Sequence, residues 1–212
     1  MNSSAQWISE QLNKRDFVTS IEVDGNRLSI VRDSRPTASV GVLSVRDVTA
    51  ADVLPLVEGV QSVDFVLNKP KTGRFMGDAL ELLELKNVGW GGLGDAIRAL
   101  RDFDRLGDYQ ERELTFVMRG LRQHGRVTSL TLLDDHRIAV VRQGLPDRVV
   151  FVGSMYQPTA ETVRDAIDRY GDFDLFAATN PNSDPTAEAI EVAADAGIQM
   201  LKWRETLAAL YR

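Results

Sequence analysis

Four aspartates stand where a hydrolase could use carboxylates. Asp24 lies in an Asp24-Gly25 turn and Asp134 in an Asp134-Asp135 turn, while Asp64 and Asp174 each open a short apolar run, Val63–Leu67 and Phe173–Ala177. Paired carboxylates hold hard divalent cations or move protons, but a single carboxylate makes a poor metal site. For Asp64 and Asp174 the plainer role is to accept hydrogen bonds from backbone donors at a strand entrance. The loop NKPKTGR offers a second chemistry. Its Lys69, Lys71 and Arg74 follow an apolar strand, a place where α/β sheets commonly bind ligands, and they could hold a phosphate or another anion. The G-x-x-x-x-G-K-[ST] spacing of a phosphate-cradling loop is absent. The matching loop of the second half carries Asn182, Ser183 and Asp184 instead, so any such anion site is asymmetric.

Weaker candidates complete the set. Arg32 and Arg142 each end a strand and could grip a phosphate or carboxylate, although a pair with a neighbouring acid is the commoner use. Glu81 and Glu191 fall on helices and read as solvated faces. The segment Val88-Gly89-Trp90-Gly91-Gly92-Leu93-Gly94 could bring backbone close to a ligand or form a tight connection over Trp90. His124 and His136 are the only histidines, and neither has metal-ligand spacing nor a nucleophile beside it.

The elements that must position these residues occur twice. Val18-Thr19-Ser20 returns as Val127-Thr128-Ser129, and after one inserted residue near Asp134-Asp135 the register holds at an offset of 110 from Arg27/Arg137 to Leu100/Leu210. Roughly one aligned position in five is identical, and apolar pairs such as Leu28/Ile138, Ile30/Val140 and Val88/Ile198 keep their character, as an internal duplication would leave them. Each copy opens with an amphipathic helix, anchored by Trp7, Ile8 and Leu12 or by Phe116, Val117 and Leu121 at helical spacing. Three strands follow, with a hairpin between the first two: Val18–Val23, Arg27–Arg32 and Ser39–Val45, then Val127–Leu132, Arg137–Arg142 and Arg148–Gly153. Thr49 and Thr159 are N-caps of the next helices, without a full capping box at Thr159, where Thr162 stands at the third position. A buried strand, a third helix, a short strand-like segment and a last helix complete each copy. The predicted fold class is therefore α/β, two tandem α-β-β-β-α-β-α units, each a mixed central sheet flanked by helices. The charged stretch Arg101–Glu113 separates units 1–103 and 104–212.

That order, and the tail of the second copy, resembles the Mrr-type branch of the restriction-endonuclease-like, PD-(D/E)XK, fold. The residues that carry the likeness are Thr179-Asn180 after a strand, the small residues Ala189 and Ala193 on the next helix, Gly197-Ile198, Leu201 and Leu207; the first copy matches through Asn68, Ala79 and Val88. The resemblance implies a nuclease in which carboxylates hold Mg²⁺ and an E-x-K or Q-x-K triplet lies on the third strand. Side chains two apart there share a face. The third strands read VGVLSVR from Val40 and VVFVGSM from Val149, with no acid-x-Lys triplet. The resemblance thus implies a degenerate pair of nuclease-like units with no catalytic residues assigned, no metal site and no cofactor. Mg²⁺ enters only in the alternative of a divergent nuclease.

Bulk properties narrow the class further. The 212 residues hold no cysteine, which excludes disulfides, thiolate nucleophiles and Cys-based zinc sites. A net charge of −6 supplies no global field for nucleic acid, so such binding needs a local patch. No apolar run approaches a membrane span, and the first residues lack the basic and apolar regions of a signal peptide, so the expected compartment is the cytoplasm. The functional expectation is a non-catalytic structural or regulatory subunit of a nucleic-acid-processing or defence assembly, with a protein partner or a second copy of itself. A nucleotide- or small-ligand-sensing module is the other alternative.

Overall fold

Alternating apolar residues bounded by turn residues form two five-stranded sheets in the computed structural model, which describes residues 3–212. The chain divides into two compact units, Met1–Glu111 and Arg112–Arg212. The first contains α1 (Ser3–Leu12), β1 (Val18–Asp24), β2 (Arg27–Arg32), β3 (Arg35–Leu43), β4 (Asp47–Val48), α2 (Ala50–Val57), β5 (Phe65–Asn68), β6 (Arg74–Phe75), α3 (Gly77–Lys86), β7 (Gly89–Gly91), α4 (Leu93–Asp102) and a 3₁₀ turn at Leu106–Asp108. The second contains α5 (Arg112–Arg122), β8 (Val127–Leu132), β9 (Arg137–Arg142), β10 (Leu145–Gly153), α6 (Ala160–Tyr170), β11 (Leu175–Ala178), α7 (Ala187–Asp195), β12 (Gln199–Lys202) and α8 (Trp203–Ala209).

The two sheets have the same plan. In the first, β1-β2-β3 is an antiparallel meander, and β5 and β7 add in parallel to give the order β1-β2-β3-β5-β7. In the second, β8-β9-β10 and then β11 and β12 repeat that order and those directions. The helical crossovers follow from the parallel pairs, which a tight turn cannot join. The third strands are longer than the sequence predicts. Tight turns at Ser34, in left-handed conformation with φ 58, and at Gly144, with φ 70, let pairing begin at Arg35 and Leu145.

Both faces are covered at the parallel strands β5 and β11, buried along their whole length, whereas β2 and β9 alternate buried and accessible positions. In the first unit Ala5, Ile8 and Leu12 of α1 and Ala96, Ala99 and Leu100 of α4 pack on Leu28, Ile30, Val40, Phe65 and Leu67. Each of the larger side chains contributes roughly 1.5–3 kcal/mol by leaving water. On the other face Gly41 lies against Leu56 of α2, where a Cβ would stand 2.9 Å from the Leu56 Cδ1. The equivalent face of the second unit is aromatic: Phe151, Tyr170, Phe173 and Phe176 pack with Val163 of α6 and Ala189 and Ala193 of α7.

Three expectations need correction. Trp7 and Phe116 do not anchor their helices to the core; they are 41% and 50% exposed, and the buried side of α5 is Leu114, Val117, Met118 and Leu121. Thr159 does have a capping box, because the Thr162 hydroxyl accepts from the Thr159 N–H while Thr162 N–H donates to Thr159 Oγ1. The segment 104–111 packs with the first unit, since Leu106 and Tyr109 are buried in its core. Among the described residues, no helix is long and apolar enough to cross a membrane.

Candidate functional site

The four aspartates do not converge. Asp24 ends β1 at an exposed hairpin. Asp64 Oδ2 accepts from Ser39 N–H at 2.8 Å, and its equivalent, Asp174 Oδ2, accepts from Val149 N–H at 2.7 Å, so each aspartate ties the entrance of a parallel strand to its neighbour. Asp134 is fully buried and accepts from the N–H groups of His136 and Arg137 and from Arg137 Nε, at 2.9, 2.7 and 2.9 Å. This carboxylate holds the β8–β9 turn in place. Among the described residues, no three His, Asp or Glu side chains cluster as a metal would need. Along the third strands, Val40 and Val42 in β3 and Val150, Phe151 and Val152 in β10 are at most 5% exposed, and Gly41, between the two β3 valines, lies against Leu56 of α2.

The basic loop is divided among different partners. Arg74 Nε donates to Asp47 Oδ1 at 2.6 Å beside the short parallel pair β4–β6. Lys69 Nζ lies 5.3 Å from the centre of the Trp7 ring and 3.5 Å from Ser4 Oγ, while Lys71 is exposed. The side chain of Asn68 spans the base of the loop, bonding Val45 N–H and C=O at 3.2 and 3.0 Å.

The glycine segment belongs to the connection into α4. Asp95 accepts from Gly92 N–H at 2.9 Å and from the Tyr109 hydroxyl at 2.7 Å, and pairs with Arg98. Gly91, at φ 146, leaves room for the Asp95 side chain, and Gly89 fits beneath Phe65 and the backbone of Leu106. Burial pushes the Tyr109 hydroxyl above the usual tyrosine range, and its bond to Asp95 acts in the same direction.

Among the described residues, no aspartate or glutamate pairs with Arg32 or Arg142. Arg32 Nε donates to Pro36 O at 2.8 Å, Nη1 to Leu100 O and Phe103 O at 2.9 and 2.6 Å, and Nη2 to Asp104 O at 2.9 Å. Arg142 does the same for Pro146 O, Leu210 O and Arg212 O. Each guanidinium caps the carboxyl end of its unit's last helix, where carbonyl groups lack partners and carry partial negative charge. Burial holds both below the usual arginine range.

A prominent cleft lies on the second unit, between α5 and the chain from α8 to its end. It measures about 880 Å³ and presents Phe116, Arg119, Gln123, Trp203, Tyr211 and Arg212. Gly120 makes it possible: a Cβ there would stand 2.5 Å from Trp203 Cζ2. Trp203 therefore lies against the helix, 5.6 Å from the Phe116 ring. At the other end His124 accepts from Arg126 N–H at Nδ1 (3.2 Å), so Nε2 carries the proton and donates to Leu207 O at 3.0 Å. That ring fixes α5 to α8 and lies 4.2 Å from the Tyr211 ring. Among the described residues, no acidic side chain lines the cleft. Sequence reasoning missed it, having placed Phe116 in the core and looked for binding in the first half. The available signal was the spacing Phe116, Arg119, Gly120 on one face of α5, an aromatic, a cation and a glycine together, with Gln123 and His124 in the turn that follows.

No protein family, curated protein or solved structure matches the chain.

Proposed function

We propose that the chain is a non-catalytic binding subunit, built by duplication of a restriction-endonuclease-like unit of the Mrr type, that serves a nucleic-acid-processing or defence assembly. The observation that carries this reading is the third strand of each unit. The positions where that fold keeps an acid and a lysine hold buried apolar side chains, and three of the four candidate carboxylates, Asp64, Asp134 and Asp174, are committed to backbone donors. A divalent site needs several oxygen ligands around one point, and the aspartates are dispersed. What the surface offers instead is a formed cleft.

The test is calorimetric titration of the full chain with Mg²⁺ and Mn²⁺, beside incubation with single- and double-stranded DNA and RNA in either metal. The expected result is no saturable binding at millimolar metal and no cleavage. Metal-dependent cleavage that Asp134→Asn or Asp174→Asn abolishes in a folded protein would establish the divergent-nuclease alternative instead.

A further inference from the structure

We infer that the α5–α8 cleft of the second unit binds single-stranded nucleic acid, a phosphodiester chain whose bases stack on Phe116, Trp203 and Tyr211. The inference rests on the binding role proposed above and gives it a ligand class. Sequence-tolerant strand binding combines a cationic groove with aromatic faces. Here Phe116 and Tyr211 are 50% and 56% exposed, Trp203 is half-buried, and Arg119 and Arg212 stand among them.

Charge favours this occupant. The chain as a whole is at −6, yet residues 112–126 contain Arg112, Arg119, Arg122 and Arg126 against the single acid Glu113. Among the described residues, no ion pair engages Arg119, Arg122 or Arg212, whereas Arg35, Arg74, Arg98, Arg101 and Arg105 of the first unit are each paired with an aspartate. The first unit also shows what a closed version looks like. Trp7, the counterpart of Phe116, already has Lys69 over its ring, and Leu93 takes the place of Trp203.

Dimensions agree as well. Phe116 to Arg122, the end of α5, spans six residues of helix, about 9 Å at 1.5 Å per residue, which is the length of two to three stacked nucleotides at about 3.4 Å each. Gln123 adds a donor and an acceptor that can meet base edges. An acidic peptide would satisfy the arginines but would leave three ring faces without flat partners.

The experiment is fluorescence anisotropy of the full chain with a fluorescein-labelled twelve-residue oligo(dT) at 50 mM salt, with tryptophan emission recorded in parallel. We expect saturable binding below 100 μM protein and quenching that Trp203→Phe removes. The slope of log K against log salt should be about −1.4 for two phosphate contacts and shallower by about 0.7 in Arg119→Ala. Phe116→Ala, at a half-exposed position that leaves the core intact, should weaken binding about 5- to 150-fold, the range for one lost stacking partner. Gly120→Ala, which pushes Trp203 from the helix, should also weaken it.

Absence of binding would overturn the inference. So would binding that Phe116→Ala and Arg119→Ala leave unchanged in variants with native circular dichroism, or displacement by polyglutamate at equal charge concentration, which would assign the cleft to an acidic peptide. None of these outcomes touches the non-catalytic reading. Cleavage of the bound strand in Mg²⁺ would defeat that reading and leave the cleft assignment standing.

Discussion

Replacing Arg32 by methionine keeps most of the side chain's volume and removes its donors. The residue is 4% exposed, and its guanidinium makes four bonds to the carbonyl oxygens of Pro36, Leu100, Phe103 and Asp104. The Leu100 carbonyl is buried and cannot recruit water, whereas the other three are partly accessible. One buried acceptor left unsatisfied costs about 1–3 kcal/mol, and losing three bonds from a charged donor to partly solvated carbonyls adds roughly as much again. Relief from desolvating the buried cation offsets part of this. The net expected loss is about 3–5 kcal/mol for the first unit. With a urea m-value of about 1.5–2 kcal/mol/M for a unit of this size, the midpoint should fall by about 2 M. Trp7 and Trp90 report on the first unit and Trp203 on the second, so a Trp203→Phe background isolates the affected transition. The companion Arg142→Met should cost less, because that guanidinium makes three bonds, one of them at 3.3 Å, and its Nη2 has no partner. A shift below about 0.5 M for Arg32→Met, or a larger effect at Arg142, would refute the view that these arginines lock the last helices.

Three further outcomes follow from the same geometry. Gly107→Ala should destabilise the first unit by about 3 kcal/mol, since a Cβ would enter the Asn87 carbonyl, whereas Gly94→Ala, with open space around it, should be neutral or stabilising by up to about 1 kcal/mol; thermal unfolding by circular dichroism separates them. Asp134→Asn should cost about 3 kcal/mol by removing a fully buried anion from part-buried Arg137, against about 1 kcal/mol for Asp64→Asn at its exposed strand entrance, and urea titration of each variant reads the difference. The raised Tyr109 hydroxyl should make the first unit lose stability as pH climbs above about 10, where the unfolded chain ionises its tyrosine and the folded one does not; that contribution is complete below pH 10. Tyr109→Phe should flatten this alkaline slope and cost about 1 kcal/mol at neutral pH, both measurable by urea midpoints across pH.

Local chemistry in the chain decides much of this protein. Alternating apolar residues, the Asp24-Gly25 turn and the Thr49 and Thr159 caps specify hairpins, strands and helix starts, because each acts within a few residues of itself. The doubling of that pattern at a fixed offset was enough to anticipate two mixed sheets of one design. The missing acid-x-Lys triplets were equally legible, since strand periodicity is exact.

Tertiary structure decided what depends on distant partners. Arg32 takes three of its four carbonyls from residues 68 to 72 positions away, and nothing near it in sequence distinguishes a helix lock from an ion pair. Phe116 sits at the same helical spacing as core residues, and only the packing of Leu114, Val117, Met118 and Leu121 against the sheet rotates it outward. The cleft joins α5 to α8 from opposite ends of the second unit. It exists because Gly120 lacks a Cβ where Trp203 lies, a complementarity that no local pattern encodes.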